Sequence, residues 1–76
     1  MNQSENLARL LNQFNKEYAF LYDNRDNVAG FSEAVTAFNN MTTEEKAVCN
    51  MFCKYRGDLI TSDREAAAFI FALDAV

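Results

Sequence analysis

The sequence predicts an all-α protein, a compact bundle of three to four short helices. The chain has no proline and only two glycines, too few turn residues for an all-β protein. Half of its 76 residues are hydrophobic, which excludes a disordered chain and fits one domain, residues 1–76. The hydrophobic residues recur at helical steps of three and four. The predicted helices cover about residues 4–22, 27–39, 43–56 and 62–75.

The first predicted helix has a clear amphipathic pattern. Ser4 is its expected N-cap. Its apolar residues fall within about 100° of the helical wheel and form one core-facing stripe. This stripe consists of Leu7, Leu10, Leu11, Phe14, Tyr18 and Leu21. Phe20 points roughly 140° away from the centre of the stripe, so it lies off the predicted core.

A polar turn at residues 23–27 separates the first helix from the second. Asp26 or Asn27 is the expected N-cap of the second helix, whose apolar residues again have helical spacing. Gly30 falls in the predicted first turn, where it indicates close packing or an irregular start.

Two capping boxes predict where the third and fourth helices begin. Thr42 is followed three residues later by Glu45, and Ser62 is followed three residues later by Glu65. Gly57 is the expected left-handed C-cap of the third helix. In the loop between these helices, Leu59 and the next residue are apolar, and we expect both to tuck under the bundle.

The third and fourth helices carry more apolar surface than one buried face requires. The predicted core stripe of the third helix consists of Val48, Met51, Phe52 and Tyr55. Cys49 and Cys53 lie along one edge of this stripe. The fourth helix has a single charged residue, Asp74, after Glu65. Phe71 and Ala68 lie opposite its predicted core face. A helix this apolar is covered on nearly all sides, either by the other helices or by a partner.

The composition excludes several classes of function. With no histidine and two cysteines, one chain cannot build a four-ligand Cys/His zinc site. The polar turn is not a calcium loop, because Arg25 occupies the third ligand position. Phosphate-binding loops and catalytic motifs are absent, so we expect no enzyme, no cofactor and no catalytic or metal-binding residues. The net charge of −4 disfavours direct nucleic-acid binding.

The sequence also predicts a cytoplasmic protein with no membrane contact. The first residues lack the basic and apolar regions of a signal peptide. The longest uncharged apolar run, residues 66–73, is too short to span a bilayer. Two cysteines in one predicted helix do not form a disulfide framework, which fits a reducing compartment.

Apolar residues outside the predicted core stripes indicate a surface for protein contact. Phe20, Phe71 and the edge formed by Cys49 and Cys53 lie off these stripes, and several such residues together are typical of an interface. The aromatic rings would supply buried contact area. Two acids near the rings, Glu17 and Asp74, would steer the chain toward a basic partner surface.

The leading interpretation is therefore a non-enzymatic protein-binding module that blocks or bridges a partner protein. Small acidic chains of this kind are often inhibitors that phages or mobile elements use against host defence systems. The principal alternative is a regulatory or assembly subunit, either a homodimer or part of a larger complex, that associates through its apolar C-terminal helix. An acidic DNA mimic and a thiol-based sensor are weaker alternatives.

Overall fold

The computed structural model describes residues 3–24 and 27–76, and these residues form four α-helices without a β-strand. The helices are α1 (Gln3–Asn24), α2 (Phe31–Asn39), α3 (Thr43–Arg56) and α4 (Asp63–Ala75). The predicted all-α bundle is confirmed. In the described part of the chain, no helix has both the length and the apolar character needed to cross a membrane.

α4 is the central helix, and it packs most extensively against α1 and α2. Its buried residues are Ala66, Ala67, Ala68, Phe69 and Ala72. Because most of these residues are alanines, neighbouring helices can approach the α4 backbone closely. The other helices therefore cover α4 from within the chain. The prediction that Ala68 lies on an outward-facing apolar surface is wrong, since its side chain is fully buried.

Four phenylalanine rings connect the four helices at the centre of the core. The ring of Phe52 in α3 lies 5.1 Å from that of Phe14 in α1 and 5.2 Å from that of Phe69 in α4. Phe38 in α2 contacts Phe69 edge-on at 6.2 Å. Tilted and edge-on pairs of this kind each contribute about 1 kcal/mol beyond the burial of their surface.

Side-chain and glycine caps fix both ends of α3 where the sequence predicts them. Thr42 accepts a hydrogen bond from the backbone N–H of Glu45 at 3.1 Å, and the Glu45 carboxylate accepts one from the Thr42 N–H at 2.9 Å. At the other end Gly57 has φ +87° and donates to the Cys53 carbonyl at 2.9 Å. Only glycine adopts this left-handed conformation without strain.

α1 and α2 have different bounds from those predicted. α1 begins at Gln3, so Ser4 lies inside the helix and is not its N-cap. α2 begins at Phe31 and not at residue 27, because Gly30 has φ +85° and occupies the N-cap position. Asn27 is therefore not the N-cap, and Asp26 lies outside the described residues.

The loop before α4 also differs from the prediction. Leu59 does not tuck under the bundle, since its side chain is 72% exposed, while the neighbouring Ile60 packs against the core. At the start of α4, Ser62 accepts a hydrogen bond from the Glu65 N–H at 3.1 Å, as the capping box predicts. The Glu65 carboxylate accepts a hydrogen bond of 3.1 Å from the N–H of Thr61, one residue before the N–H that a capping box uses.

Candidate protein-binding site

α3 is rotated about its axis relative to the orientation that the sequence predicts. Its buried residues are Cys49, Phe52 and Cys53, whereas Met51 is 36% exposed and Tyr55 is 46% exposed. The placement of Met51 and Tyr55 in the core is therefore wrong, and so is the placement of the cysteines on an outer edge. The reason is that the apolar arc of α3 exceeds half the circumference, so the hydrophobic pattern permits either orientation.

This rotation places Met51 and Tyr55 beside the N-terminal half of α1, where a groove opens on the surface. The groove has a volume of about 460 Å³ and is lined by Gln3, Asn6, Leu7, Leu10, Val48, Met51, Leu73 and Val76. A second depression of about 260 Å³ shares Gln3, Leu7 and Met51 with it and continues to Lys54 and Tyr55. We call this combined surface between α1, α3 and the end of α4 the apolar groove.

The apolar groove is open to solvent although most of its lining is hydrophobic. Val76 is 52% exposed, and Leu7 and Leu73 are partly exposed. Lys54 is the charged residue among the described residues that line it. The amide of Gln3 donates to the thioether of Met51, and this exposed bond links α1 to α3 along the groove. Concave apolar surfaces of this kind are the usual form of binding sites.

Phe20 is exposed, as the sequence predicts, but it lies away from the groove. Its side chain is 56% exposed. A rise of 1.5 Å per residue places it about 20 Å along α1 from Leu7. Glu17, one turn before Phe20, is half-buried and accepts a hydrogen bond of 2.7 Å from the Gln13 amide. The two residues form a separate small patch at the C-terminal half of α1.

The two predicted contact residues of α4, Phe71 and Asp74, differ in burial: Phe71 is partly buried and Asp74 is exposed. Phe71 is partly buried and packs against the core. A Cβ atom placed on Gly30 would lie 3.9 Å from the Phe71 ring, so this ring covers the turn before α2. Phe71 is therefore not an outward-facing anchor. Asp74 is exposed, and its neighbours Leu73 and Val76 line the apolar groove.

Cys49 and Cys53 are buried free thiols on the flank of α3 away from Met51. Burial, together with the neighbouring Cys53, raises the pKa of the Cys49 thiol to about 11. This thiol is therefore protonated near neutral pH and is not an activated nucleophile. Across residues 3–24 and 27–76, no group of three or more His, Cys, Asp or Glu side chains is placed to hold a metal ion.

Comparisons with protein-family models, with curated proteins and with solved structures find no significant match to this chain.

Proposed function

We propose that the chain is a non-enzymatic protein-binding module and that the apolar groove is its binding site. The observation that carries this proposal is the exposure of Met51 and Tyr55 beside Leu7, on a surface built from three helices. Tyrosine and methionine are enriched at protein interfaces, where an aromatic side chain supplies contact area at low entropic cost. A site on helices also needs little reorganisation on binding.

The groove suits the apolar face of an amphipathic helix from a partner protein. Its walls are helices, and a partner helix would present side chains at positions i, i+3 and i+4 to Leu7, Met51 and Leu73. Lys54 stands at the Tyr55 end of the groove. An acidic residue at the corresponding end of the partner helix would therefore pair with Lys54 and fix the direction of binding.

Binding of this kind would block or bridge the partner, and this mode of action is common to the proposed inhibitor and assembly roles. For an inhibitor from a phage or mobile element, the groove would sequester a helix of the target. For an assembly subunit, it would hold a second copy or a larger complex.

A basic partner surface reached through Glu17, Phe20 and Asp74 stays a prediction. The free thiols of Cys49 and Cys53 support a reducing, cytoplasmic compartment.

Light scattering on a size-exclusion column tests first whether a second copy occupies the groove. The wild-type chain is compared with Met51→Glu from low to high micromolar concentration. A dimer that dissociates in Met51→Glu assigns the groove to self-association and supports the assembly role. A dimer unaffected by Met51→Glu contradicts the proposed site. If the wild-type chain is a monomer, the groove is tested next for binding to a different protein.

Site-specific photocrosslinking then tests for the foreign partner. A benzophenone side chain replaces Tyr55 in the groove or, as a matched control, Leu59, which is exposed outside it. The proposal expects a discrete crosslinked protein from position 55 that Met51→Glu abolishes, and its crosslinked peptide should be helical and apolar. Equal crosslinking from both positions, or crosslinking that survives Met51→Glu, would contradict the groove as the binding site.

A further inference from the structure

A second pocket lies on the flank of α3 away from the apolar groove, and three sulfur-bearing side chains line it. The pocket has a volume of about 300 Å³, and its sulfur residues are Met41, Cys49 and Cys53. We call it the sulfur pocket. It shares no lining residue with the apolar groove.

The two thiols are positioned by the geometry of α3. Cys49 and Cys53 are four residues apart, so their Cβ atoms lie about 6 Å apart on one face of the helix. Both cysteine side chains line the same pocket. Met41 ends the turn after α2, where its N–H donates to the Phe38 carbonyl at 3.4 Å, and it lines the same pocket. Two thiols and one thioether thus border one space.

The sulfur pocket has a route to solvent. Cys53 also lines an adjoining pocket of about 340 Å³, together with Gly57 and Leu59. Leu59 borders both pockets and is highly exposed. Cys53 therefore borders both pockets, although both cysteine side chains are themselves buried.

We propose that the sulfur pocket binds one Cu(I) ion through the thiolates of Cys49 and Cys53 and the thioether of Met41. Thiolate and thioether sulfur are the ligands that select Cu(I) over harder cations, and Cu(I) accepts three-coordinate sites. Zn²⁺ is a poorer fit, because it requires four ligands and the chain has no histidine.

The charges of such a site also balance. Binding releases both thiol protons to solvent and forms three Cu–S bonds, and no electron is transferred because copper enters as Cu(I). Two thiolates around a monovalent ion leave one negative charge. Lys46 lines the same pocket and supplies one positive charge.

Competition with a chromophoric chelator tests the proposal. The reduced full chain is titrated anaerobically against Cu(I) held by bicinchoninate, and loss of the chelator colour measures transfer. We expect the wild-type chain to remove one equivalent of copper, and X-ray absorption of the complex to show sulfur neighbours alone. No transfer to the wild-type chain, or nitrogen and oxygen neighbours around the copper, would overturn the proposal.

Two sets of variants identify the ligands. The Cys49→Ser and Cys53→Ser double variant should lose transfer, and circular dichroism checks that it still folds. Met41→Leu preserves side-chain volume and so keeps the proposal testable if the serine variant unfolds. Met41→Leu removes one of the three sulfur ligands, so copper binding should weaken at least about tenfold, the lower bound for losing a residue that only supports a ligand. Met51→Leu is the matched control and should bind like wild type. Copper binding that survives the cysteine changes, or equal affinity of Met41→Leu and wild type, would overturn the assignment.

Discussion

The guanidinium of Arg56 donates a hydrogen bond of 2.6 Å from Nη2 to Oε2 of Glu65, which joins the end of α3 to the start of α4. The side chains of this ion pair are only 17% and 13% exposed. The same guanidinium lies 4.8 Å from the ring centroid of Phe14 in α1. One arginine therefore connects three helices, through a charge-assisted hydrogen bond and a cation–π contact.

Replacing Glu65 by glutamine should lower the free energy of unfolding by about 2 kcal/mol. The reason is that a partly buried, charge-assisted hydrogen bond is lost and the charge of Arg56 is left without its partner. Urea unfolding followed by circular dichroism measures this change. Glu17→Gln, a carboxylate bonded to Gln13 within α1, is the matched control and should cost less than about 0.5 kcal/mol. Equal losses in the two variants would show that the ion pair contributes nothing specific.

Acid should destabilise the bundle through Glu65. Burial by itself would raise the pKa of the Glu65 carboxyl, but hydrogen bonds from Arg56, Thr61 and Ser62 outweigh burial and hold the pKa below its usual value. A carboxyl whose folded pKa is lowered stabilises the fold above its unfolded pKa of about 4.3, and this contribution is lost as pH falls through the folded pKa. Urea unfolding at a series of pH values should show this loss in wild type. If Glu65→Gln loses unfolding free energy at low pH as steeply as wild type does, Glu65 is not the group responsible.

Alkali should destabilise the bundle through Cys49. Its thiol pKa is raised to about 11, chiefly by burial. A thiol whose folded pKa is raised contributes stability that is complete below its unfolded pKa of about 8.5 and is lost as pH rises toward the folded pKa. Thermal unfolding of reduced wild type and of Cys49→Ala between these values measures the effect. The alanine variant is less stable at neutral pH because it leaves a cavity, but its stability should fall less steeply with pH.

The two glycines with positive φ provide a matched pair. Gly30 has φ +85° and Gly57 has φ +87°, so alanine at either position is strained by about 1 kcal/mol. A Cβ atom at Gly57 would have open space, and one at Gly30 would make an ordinary contact with Phe71. Gly30→Ala and Gly57→Ala should therefore destabilise the chain by similar amounts in denaturant unfolding. A much larger loss in Gly30→Ala would mean that contact with Phe71, and not backbone conformation, dominates.

Local signals in the sequence predict the helices well but not the orientation of each helix. Thr42 and Gly57 define α3 because their caps involve only neighbouring residues. The start of α2 could not be predicted as readily, since Gly30 is compatible both with a first helical turn and with the left-handed N-cap that it adopts. Whether a partner or the chain covers α4 depends on the packing of all helices, although its buried alanines already favour close internal neighbours.

The apolar groove was not predicted, because the hydrophobic pattern alone does not fix the rotation of α3. The cysteines Cys49 and Cys53 are the signal that could have located it. Cysteine is among the most frequently buried residue types, whereas methionine and tyrosine are common at binding surfaces. That preference favours the observed orientation, in which Met51 and Tyr55 face the groove.

Alanine substitutions at two adjacent residues of α3 test this rotation directly. Phe52 is fully buried between Phe14 and Phe69, so Phe52→Ala should cost about 4 kcal/mol and leave a chain of this size marginally folded or unfolded. Met51 lies in the open groove, so Met51→Ala should cost less than about 1 kcal/mol. Urea unfolding measures both. A core position for Met51 would instead give a loss of at least about 2 kcal/mol, the lower bound for truncating a buried methionine, and would remove the structural basis of the groove.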